Sequence, residues 1–440
     1  MRWTRALWVT GAMLLVTACS TGGGEAGPSS PGGPSAPPSV RETTSPAAGG
    51  EGSAAEALAA LCEFGPPPGS EPVLAEGPTP PTIAEVQAAV EELRGLAFIE
   101  PVVADAVTRS ELVEGLEESF DYSYPRKLLE RRSAAWQTIG VIGDGADIRA
   151  ELETFASGQV IGYYDTLTGE LVFLGSDDPS PYERVTLAHE LTHAVDDQHF
   201  GLERIDHLVT SCREEAAAAA IALVEGSATW FMTQYALRFL TTEEQLQLAT
   251  ESGGTTADVE PFIESQQIWP YLRGQDFVRA LSIRGGVDAI DEAFRDLPVS
   301  TEQILHPERY PNDVPTPVDV TDLAGALGPG WRDLDVQEVG EAWLSLALDL
   351  RLDASIAGEA AAGWDGGLYR AWTDGREVAV VLSTVWDSPG DAEDFAEALT
   401  SWIAGSPDGQ AATVLPAEGT AVRALFASDP ATLEALRAAA

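Results

Sequence analysis

Hydrophobic positions follow a helical period over much of the chain and change to a strand period before its centre. Apolar residues recur every three to four positions in three early stretches, which predicts helices at 82–98, 112–132 and 148–155. Short β-prone runs follow at 160–164 and 170–174, separated by a turn sequence at 165–169. We therefore expect a β-hairpin at this point.

Two long helices are predicted after the hairpin. The first starts near Pro181, because Asp178-Pro179-Ser180 is a turn sequence and proline favours the first helical position. The second runs from about Ser211 to Leu240, and its small residues Ala216 to Ala220 offer a smooth surface for close helix packing. 

The pattern is less regular after the second long helix. Two or more helices are expected within 257–297, broken at Pro270 and at Gly285-Gly286. The proline-rich residues 298–330 are expected to form a loop.

From Trp331 onward, helical and strand periods alternate. The expected elements are a helix at 336–352, a hairpin of 368–373 and 377–384, a helix at 391–403, strands at 412–415 and 421–427, and a closing helix at 431–439. This pattern predicts a small α+β module over 331–440. The predicted fold class of the whole chain is α+β, with a mostly helical core, a small hairpin before its first long helix, and this module at the C-terminus.

The N-terminus has the pattern of an export signal. Arg2 and Arg5 precede an apolar run at 6–16 that is too short for a comfortable membrane span, which predicts a signal peptide at 1–18. Thr17-Ala18-Cys19 resembles a bacterial lipobox, and the resemblance implies cleavage before Cys19 and a lipid on its thiol. An ordinary signal peptide that happens to contain Cys19 is the alternative.

Residues 19–55 are dominated by Gly, Ser, Pro, Thr and Ala, with almost no large apolar residue. Such a composition cannot offset the entropy of ordering, so a flexible tether is predicted. The mature protein is therefore expected to be an extracytoplasmic bacterial lipoprotein, held at the cell membrane through Cys19.

The charge excludes one class of partner. The chain has 25 Lys and Arg residues against 70 Asp and Glu residues, a formal net charge of −45. The acidic residues are interleaved with apolar ones, which indicates a solvated acidic surface. Such a field repels phosphate backbones, so no nucleic-acid partner is expected.

Two cysteines remain in the predicted mature body. In an oxidising compartment, Cys62 and Cys212 are expected to form a disulfide, with two free buried thiols as the alternative. Neither has a Cys or His neighbour at ligand spacing, so neither is predicted to bind zinc.

The first long helix carries the sequence His189-Glu190-Leu191-Thr192-His193. Residues four apart share a helix face, so His189 and His193 present two imidazoles to one point, where they could hold one zinc ion. Glu190 lies beside that point, where it could take a proton from water and pass it to a leaving amine. Apolar residues flank the motif, which favours a buried helix over surface histidines.

A catalytic zinc keeps three protein ligands, so a third is needed. His199 stands six residues after His193, the offset of metzincin peptidases, but Asp196 occupies the position where those have a glycine. If the helix continues without that turn, His199 points away from the metal.

Glu225 is the favoured third ligand. It is the only charged side chain between Glu215 and Arg238, and an isolated carboxylate in an apolar helix is costly unless it is paired or bound to a metal. Glu214 and Glu215 remain alternatives, although acids at a helix start are ordinary.

Further candidates have weaker support. Asp196 or Asp197 could accept the second ring N–H of a ligand histidine. His306, with Tyr310 close by, could reach the cleft and donate to the developing oxyanion. The strand at 171–174 could be a sheet edge to which a peptide substrate adds.

HELTH followed by LVEGSA resembles the gluzincin peptidases, in which a second helix supplies a glutamate ligand. AHELTHAVDDQHF, GYYDTLTGELVFL, STEQILHPERYP and AAAGWDGGLYRAW resemble a group of largely uncharacterised bacterial extracytoplasmic proteins, over most of 135–375. The resemblance implies a zincin-like metallopeptidase domain over 56–330, with His189, His193 and Glu225 as ligands and Glu190 as base. The separation of motif and glutamate is longer than in thermolysin, and its substrate-binding segments have no match, so substrate preference does not transfer.

The expected function is zinc-dependent hydrolysis of peptide bonds in peptide or protein substrates. The alternative is a catalytically silent lipoprotein that keeps the fold and acts as a binding module. Intact Glu190 favours the enzyme, because a pure binding module does not need that base.

Overall fold

The protein is described by a computed structural model that covers residues 52–64, 79–115, 125–166, 168–175, 179–250, 258–406 and 409–440. The predicted signal peptide, Cys19 and nearly all of the predicted tether lie outside these residues. The first described helix begins at Ala54, so the last two residues of the predicted tether, Ala54 and Ala55, are helical.

The described residues form an α+β fold with two sheets. Its helices are Ala54–Leu61, Pro81–Arg94, Arg126–Ile139, Ile148–Gln159, Pro181–Phe200, Glu203–Thr210, Glu214–Phe239, Thr242–Thr250, Pro261–Arg295, Thr301–Leu305, Ala324–Leu327, Glu341–Asp349, Ala354–Ala361, Pro389–Ala404 and Pro430–Ala439. Residues 109–115 are also helical. The strands are β1 (Val103–Val107), β2 (Gly162–Asp165), β3 (Glu170–Leu174), β4 (Arg332–Glu338), β5 (Trp364–Thr373), β6 (Val378–Trp386), β7 (Ala411–Val414) and β8 (Ala421–Ala427).

The first sheet has the order β1-β3-β2. Strands β2 and β3 form the predicted antiparallel hairpin, and Gly169 takes a left-handed conformation (φ 71°) in its turn. Strand β1 pairs in parallel with the other side of β3. The prediction that 171–174 forms a sheet edge is therefore wrong, because β3 is the central strand and β1 and β2 are the two edges.

The predicted first long helix is Pro181–Phe200, which we call the motif helix. Ser180 and Glu183 form a reciprocal capping box at its start, and Pro181 occupies the first turn, as predicted. The helix ends at Gly201, whose φ of 66° gives the left-handed cap that glycine favours.

The predicted second long helix is Glu214–Phe239, which we call the glutamate helix. It is long and apolar enough to cross a membrane, but 78% of its most apolar window is buried inside the structure, as in a core helix. It packs against Pro261–Arg295, the kinked helix. Pro270 does not break this helix, contrary to prediction, whereas Gly285-Gly286 does interrupt its helical dihedrals. Trp269 and Tyr271 are buried on either side of Pro270, so tertiary packing holds the helix through it.

The glutamate helix and the kinked helix touch through their backbones. A Cβ atom at Gly226 would lie 2.1 Å from the carbonyl carbon of Gly274, and one at Gly274 would lie 1.9 Å from Ala222 O. Only glycine at both positions permits this approach. The crossing lies directly beside Glu225, so it sets the position of that side chain.

We expect Gly226→Ala to destabilise the fold by about 3 kcal/mol or more, because backbone atoms cannot yield to the added methyl group. Gly358→Ala is the matched control: Gly358 lies in the helix Ala354–Ala361 with open space around its Cα. That change is expected to raise stability by roughly 0.5–1 kcal/mol through helix propensity. Chemical denaturation measures the free energy of unfolding of both variants. If the two variants were equally stable, the close backbone contact between the two helices would be contradicted.

The second sheet is antiparallel, with the order β4-β5-β6-β8-β7. Its strands β5 to β8 and its last two helices match the predicted elements. The predicted helix at 336–352 is wrong in its first part, because Val336 and its neighbours pair with β5 as strand β4 and the helix begins only at Glu341. The predicted loop at 298–330 contains two short helices.

The second sheet packs against helices that precede it in the chain. Trp136, Phe262 and Trp343 meet edge to face, with ring centroids 5.2 to 6.3 Å apart. These rings belong to one hydrophobic core that continues onto the sheet through Tyr369. The C-terminal residues thus share a core with the helices before them.

The predicted disulfide is confirmed. Cys62 and Cys212 are bonded, with Cα atoms 5.9 Å apart. The bond ties the first described segment to the turn before the glutamate helix, across 150 residues of sequence.

Candidate metal centre

Three candidate ligands converge between the motif helix and the glutamate helix. The Nε2 atoms of His189 and His193 are 3.0 Å apart, and Glu225 Oε2 lies 3.2 Å from the first and 3.5 Å from the second. All three side chains are buried. This His-His-Glu triad could bind a metal ion.

The spacing of the triad fits one small cation. Ligand atoms that surround a tetrahedral ion at 2.0–2.1 Å lie about 3.4 Å from one another, and the three distances bracket this value. Glu225 Oε1 is buried without a hydrogen-bond partner, and the Nε2 atoms of the two histidines face one another 3.0 Å apart. Polar atoms buried without partners cost free energy, and a cation bound between the three side chains would offset that cost.

The protonation of the triad also suits a cation. Burial lowers the pKa of His189, so its ring is held neutral. Burial favours the neutral form of Glu225, but its Coulombic interaction with His193 and its hydrogen bonds to both histidines outweigh this effect and bring its pKa to about 2. A neutral imidazole and an ionised carboxylate are the forms that coordinate metals.

Glu190 is fully buried next to His189 on the motif helix. A Cβ atom at Gly162 would lie 3.3 Å from Glu190 Cγ and 3.4 Å from its Oε1. The missing side chain at Gly162 therefore leaves room for this carboxylate where the edge strand β2 begins.

The structure does not support the other predicted third ligands. The motif helix continues to Phe200, so His199 is turned away, and its Nε2 lies 2.8 Å from the carbonyl oxygen of Ala97 at the surface. Glu214 pairs with Arg132 at 2.6 Å, and Glu215 accepts hydrogen bonds from Thr301. Among these candidates, only Glu225 joins the histidines.

The predicted role of Asp196 and Asp197 as partners of the ligand histidines is wrong. Asp196 accepts hydrogen bonds from Arg94 at 2.6 Å and from Ser227 at 2.9 Å. Asp197 accepts one from the hydroxyl of Tyr164 at 2.9 Å. Asp196 therefore links the motif helix to the glutamate helix, because Ser227 follows Glu225 by two residues.

The predicted oxyanion donors have partners outside the triad. His306 Nε2 lies 2.9 Å from Glu341 Oε1, at the first turn of the helix Glu341–Asp349. The Tyr310 hydroxyl donates to the carbonyl of Asp296 at 2.6 Å. These contacts hold the segment against neighbouring helices, and the role of both residues at the cleft stays a prediction.

Sequence reasoning missed Tyr271. Its ring stacks on the imidazole of His189, with centroids 6.0 Å apart and planes inclined by 22°. The contact follows from the Gly226–Gly274 crossing, because Tyr271 lies one helical turn before Gly274. No local pattern distinguishes Tyr271 from other buried aromatic residues of the kinked helix.

Three acids outside the triad, one of them buried and two partly buried, hold their protons at unusually high pH. Burial raises the pKa of Glu214, Glu215 and Asp206 to about 7 each, even though Arg132 and Thr301 favour the ionised form of the first two.

Stability is therefore expected to fall as pH rises from about 4.5 to 7, because the unfolded chain releases these protons while the folded chain keeps them. We expect the free energy of unfolding to be larger at pH 5 than at pH 7.5, by roughly 2 kcal/mol for each of the three carboxyl groups. Glu215→Gln should flatten this slope, because an amide accepts the same hydrogen bonds without a proton. The exposed Glu359→Gln should leave the slope unchanged. Urea denaturation across this pH range makes the measurement, and a slope of opposite sign would contradict it.

Comparison with known proteins gives one match. The family described as Domain of unknown function (DUF8575) matches residues 331–437, which comprise the second sheet and its helices. No curated protein and no solved structure matches the chain. The family match thus concerns the C-terminal sheet and does not include the triad.

Proposed function

We propose that the protein is a zinc-dependent peptidase with a gluzincin-like core, which hydrolyses peptide bonds outside the cytoplasm. The observation that carries this proposal is the buried triad of His189, His193 and Glu225, with the carboxylate of Glu190 on the same helix. A metal held for structure alone would have no use for Glu190.

Zinc is the ion that best fits the donors. Two imidazoles and one carboxylate are the ligand set of many catalytic zinc sites, and three protein ligands leave a fourth position open. Hard cations such as Mg²⁺ and Ca²⁺ prefer sites made of oxygen atoms. When bound, zinc supplies Lewis acidity, which polarises the scissile carbonyl and lowers the pKa of water towards neutrality.

The residues of the chain carry the protons. Glu190 takes one proton from the attacking water as the oxygen–carbon bond forms, and it gives this proton to the leaving nitrogen as the carbon–nitrogen bond breaks. The products are a carboxylate and an amine, and no covalent intermediate with the protein is needed. Burial of Glu190 keeps competing bulk water away from this transfer.

The proposed location follows from the N-terminal sequence. Export through the predicted signal peptide and lipid on Cys19 would place the peptidase at the outer face of the cell membrane. The glycine- and proline-rich residues after Cys19 would keep the folded body clear of the bilayer.

Glu190→Gln separates a peptidase from a binding module. We expect this variant to keep stoichiometric zinc and to lose peptide hydrolysis by roughly 100- to 10,000-fold, because the amide cannot transfer the proton. Metal analysis and cleavage of a peptide mixture make the two measurements. Glu393→Gln, at an exposed position, is the matched control and should cleave like the unmodified protein. Cleavage by the Glu190 variant at the normal rate would refute the mechanism, and purified protein that binds no zinc would favour the binding module.

A further inference from the structure

A pocket lies at the junction between the start of the glutamate helix and the second sheet. The helix and the residue before it supply Glu215 and Arg213, and strand β5 supplies Trp364. Glu215 precedes Glu225 by ten residues, which corresponds to about 15 Å along an α-helix. This pocket is therefore separate from the candidate metal centre.

The floor of the pocket is backbone without side chains. A Cβ atom at Gly366 of β5 would lie 2.2 Å from Thr316 O, and one at Gly367 would lie 2.5 Å from Val339 O. The proline-rich loop around Thr316 is held over the strand, because the Thr316 hydroxyl donates to Asp365 Oδ2 at 2.6 Å. The pocket is thus formed by the contact of this loop with β5.

The indole N–H of Trp364 is a donor in the wall of this pocket. Trp364 is 1% exposed, and its Nε1 has no hydrogen-bond partner among the described residues. The atom lies beside Gly367, because a Cβ atom at that glycine would be 2.9 Å from it. A buried donor without an acceptor costs free energy, so the pocket favours a ligand that brings an oxygen atom to this N–H.

Two carboxyl groups and one guanidinium complete the polar part of the wall. Arg213 Nε lies 3.4 Å from Glu338 Oε1, which is longer than an ordinary charge-assisted hydrogen bond. Burial raises the pKa of Glu338, and it raises the pKa of Glu215 to about 7 although Thr301 donates two hydrogen bonds to that carboxylate. When both carboxyl groups are ionised, the wall has two negative charges and one positive charge.

The charged groups next to these residues are paired with one another. Glu214 lies 2.6 Å from Arg132, and Glu341 lies 2.9 Å from His306. Neither pair lines the pocket. The charge balance of the wall is therefore set by Arg213 and the two carboxyl groups.

A zwitterion matches this wall at both of its ends. An ammonium group would supply the missing positive charge at Glu215 and Glu338, and a carboxylate would accept from Arg213 and from the indole N–H of Trp364. A simple cation would leave the indole N–H without an acceptor. A simple anion would meet two carboxyl groups.

The size of the pocket limits the ligand. Its volume of about 50 Å³ corresponds to roughly three to five water molecules, because one water needs about 10–15 Å³. Aliphatic side chains form the rest of the described lining, among them Ala216, Val299, Val318 and Leu368. Glycine and alanine are the α-amino acids of this size.

We propose that this pocket binds a small α-amino acid, glycine or alanine, as its zwitterion. The ammonium group lies against Glu215 and Glu338, and the carboxylate lies against Arg213 and the indole N–H of Trp364. This site goes beyond the proposed peptidase function and does not depend on it, because the triad takes no part in the binding.

Calorimetric titration at pH 8 with L-alanine, propionate and ethylamine tests whether both ends of the ligand are bound. Propionate lacks the ammonium group of alanine, and ethylamine lacks its carboxylate. Alanine should bind at one site and at least about 10-fold more tightly than either analogue, because each end adds charge-assisted hydrogen bonds. Equal affinity for alanine and either analogue, or no binding of alanine, would overturn the proposal.

The same titration separates this site from the triad. Zinc-loaded protein and the Glu225→Gln variant should bind alanine with the same affinity. Alanine binding that disappears in the Glu225 variant would mean that alanine binds at the metal centre, and it would overturn the proposal. Alanine binding by a protein that cleaves no peptide would uphold this site and overturn the peptidase.

Substitutions at the two ends should act on different ligands. Arg213→Gln should remove the advantage of alanine over ethylamine, and Glu338→Gln should reduce its advantage over propionate. Arg332→Gln, at an exposed position of β4, is the control and should bind alanine normally. Alanine binding that neither Arg213→Gln nor Glu338→Gln changes would overturn the assignment.

Trp364→Phe removes the indole N–H and keeps an aromatic ring. We expect it to weaken alanine binding by about 10-fold. Trp402→Phe is the matched control, because Trp402 Nε1 is also buried without a partner among the described residues but does not line this pocket. Equal alanine affinities of the two tryptophan variants would contradict the proposed position of the carboxylate.

Discussion

Replacement of Glu225 by glutamine is expected to lower the affinity for zinc by roughly 100-fold or more and to abolish hydrolysis with it. Replacement of groups that only support a ligand costs about 10- to 100-fold in metal affinity, so loss of a ligand itself should cost at least as much. The carboxylate of Glu225 is ionised, with a pKa of about 2, and it supplies the negative charge of the triad. A neutral amide of the same shape keeps the packing and removes this charge.

Competition with a chromophoric chelator measures the affinity, and circular dichroism checks that the fold is retained. His199→Gln is the matched control, because His199 is the rival ligand at the metzincin spacing but lies at the surface. It should bind zinc like the unmodified protein. Loss of zinc from the His199 variant, or normal affinity in the Glu225 variant, would place the third ligand elsewhere.

Removal of zinc should also lower the stability of the unmodified protein. A ligand that binds only the folded state adds about 4 kcal/mol when its concentration is 1,000 times its dissociation constant. The melting temperature should therefore fall on chelation. The Glu225 variant should melt at the same temperature with and without the chelator.

The parts of the site that sequence could predict are those that depend on local periodicity. His189 and His193 lie one turn apart on a helix whose cap, Ser180 to Glu183, is also local. The hairpin of β2 and β3 was predictable because its turn and both strands are contiguous. Glu225 was predicted from its isolation in an apolar helix, but contact between two helices was needed to separate it from Glu214 and Glu215.

The parts that sequence could not predict depend on contacts between distant residues. Strand β1 pairs with β3 across 67 residues, Val103 with Glu170, and no local pattern indicates that β3 becomes the central strand. The partner of Asp196 is Arg94, which lies 102 residues earlier. Tyr271 reaches His189 only because two helices cross at glycines.

Arg94→Met is expected to destabilise the fold by about 3–5 kcal/mol, because it leaves the buried carboxylate of Asp196 without its counter-ion and that of Asp291 with only the exposed Arg295, 3.8 Å away. Arg94 is fully buried, and its guanidinium lies 2.6 Å from Asp196 and 2.5 Å from Asp291. Three phenylalanine rings surround the same guanidinium, with centroids 5.4 to 5.6 Å from its central carbon: Phe200, Phe231 and Phe294. The site accommodates a long apolar chain, so the cost of the change comes from uncompensated buried charge and not from a cavity.

The Arg94→Met substitution should also lower the affinity of the metal centre for zinc. Asp196 follows His193 by three residues, and it also accepts the hydroxyl of Ser227, two residues after Glu225. An Asp196 carboxylate without Arg94 would draw water or a proton and disturb both ligand helices. We expect the zinc affinity of Arg94→Met to fall by about 10-fold, in line with other residues that support ligands.

Urea denaturation of the metal-free protein and chelator competition separate the two effects. Arg238→Met is the control, because Arg238 forms an exposed pair with Glu92 and its loss should cost no more than about 1 kcal/mol. The combination of Arg94→Met with Asp196→Asn and Asp291→Asn should recover most of the lost stability, since no buried charge is then left uncompensated. If the triple variant is as unstable as Arg94→Met alone, the loss comes from packing around the three phenylalanines and not from the orphaned carboxylates.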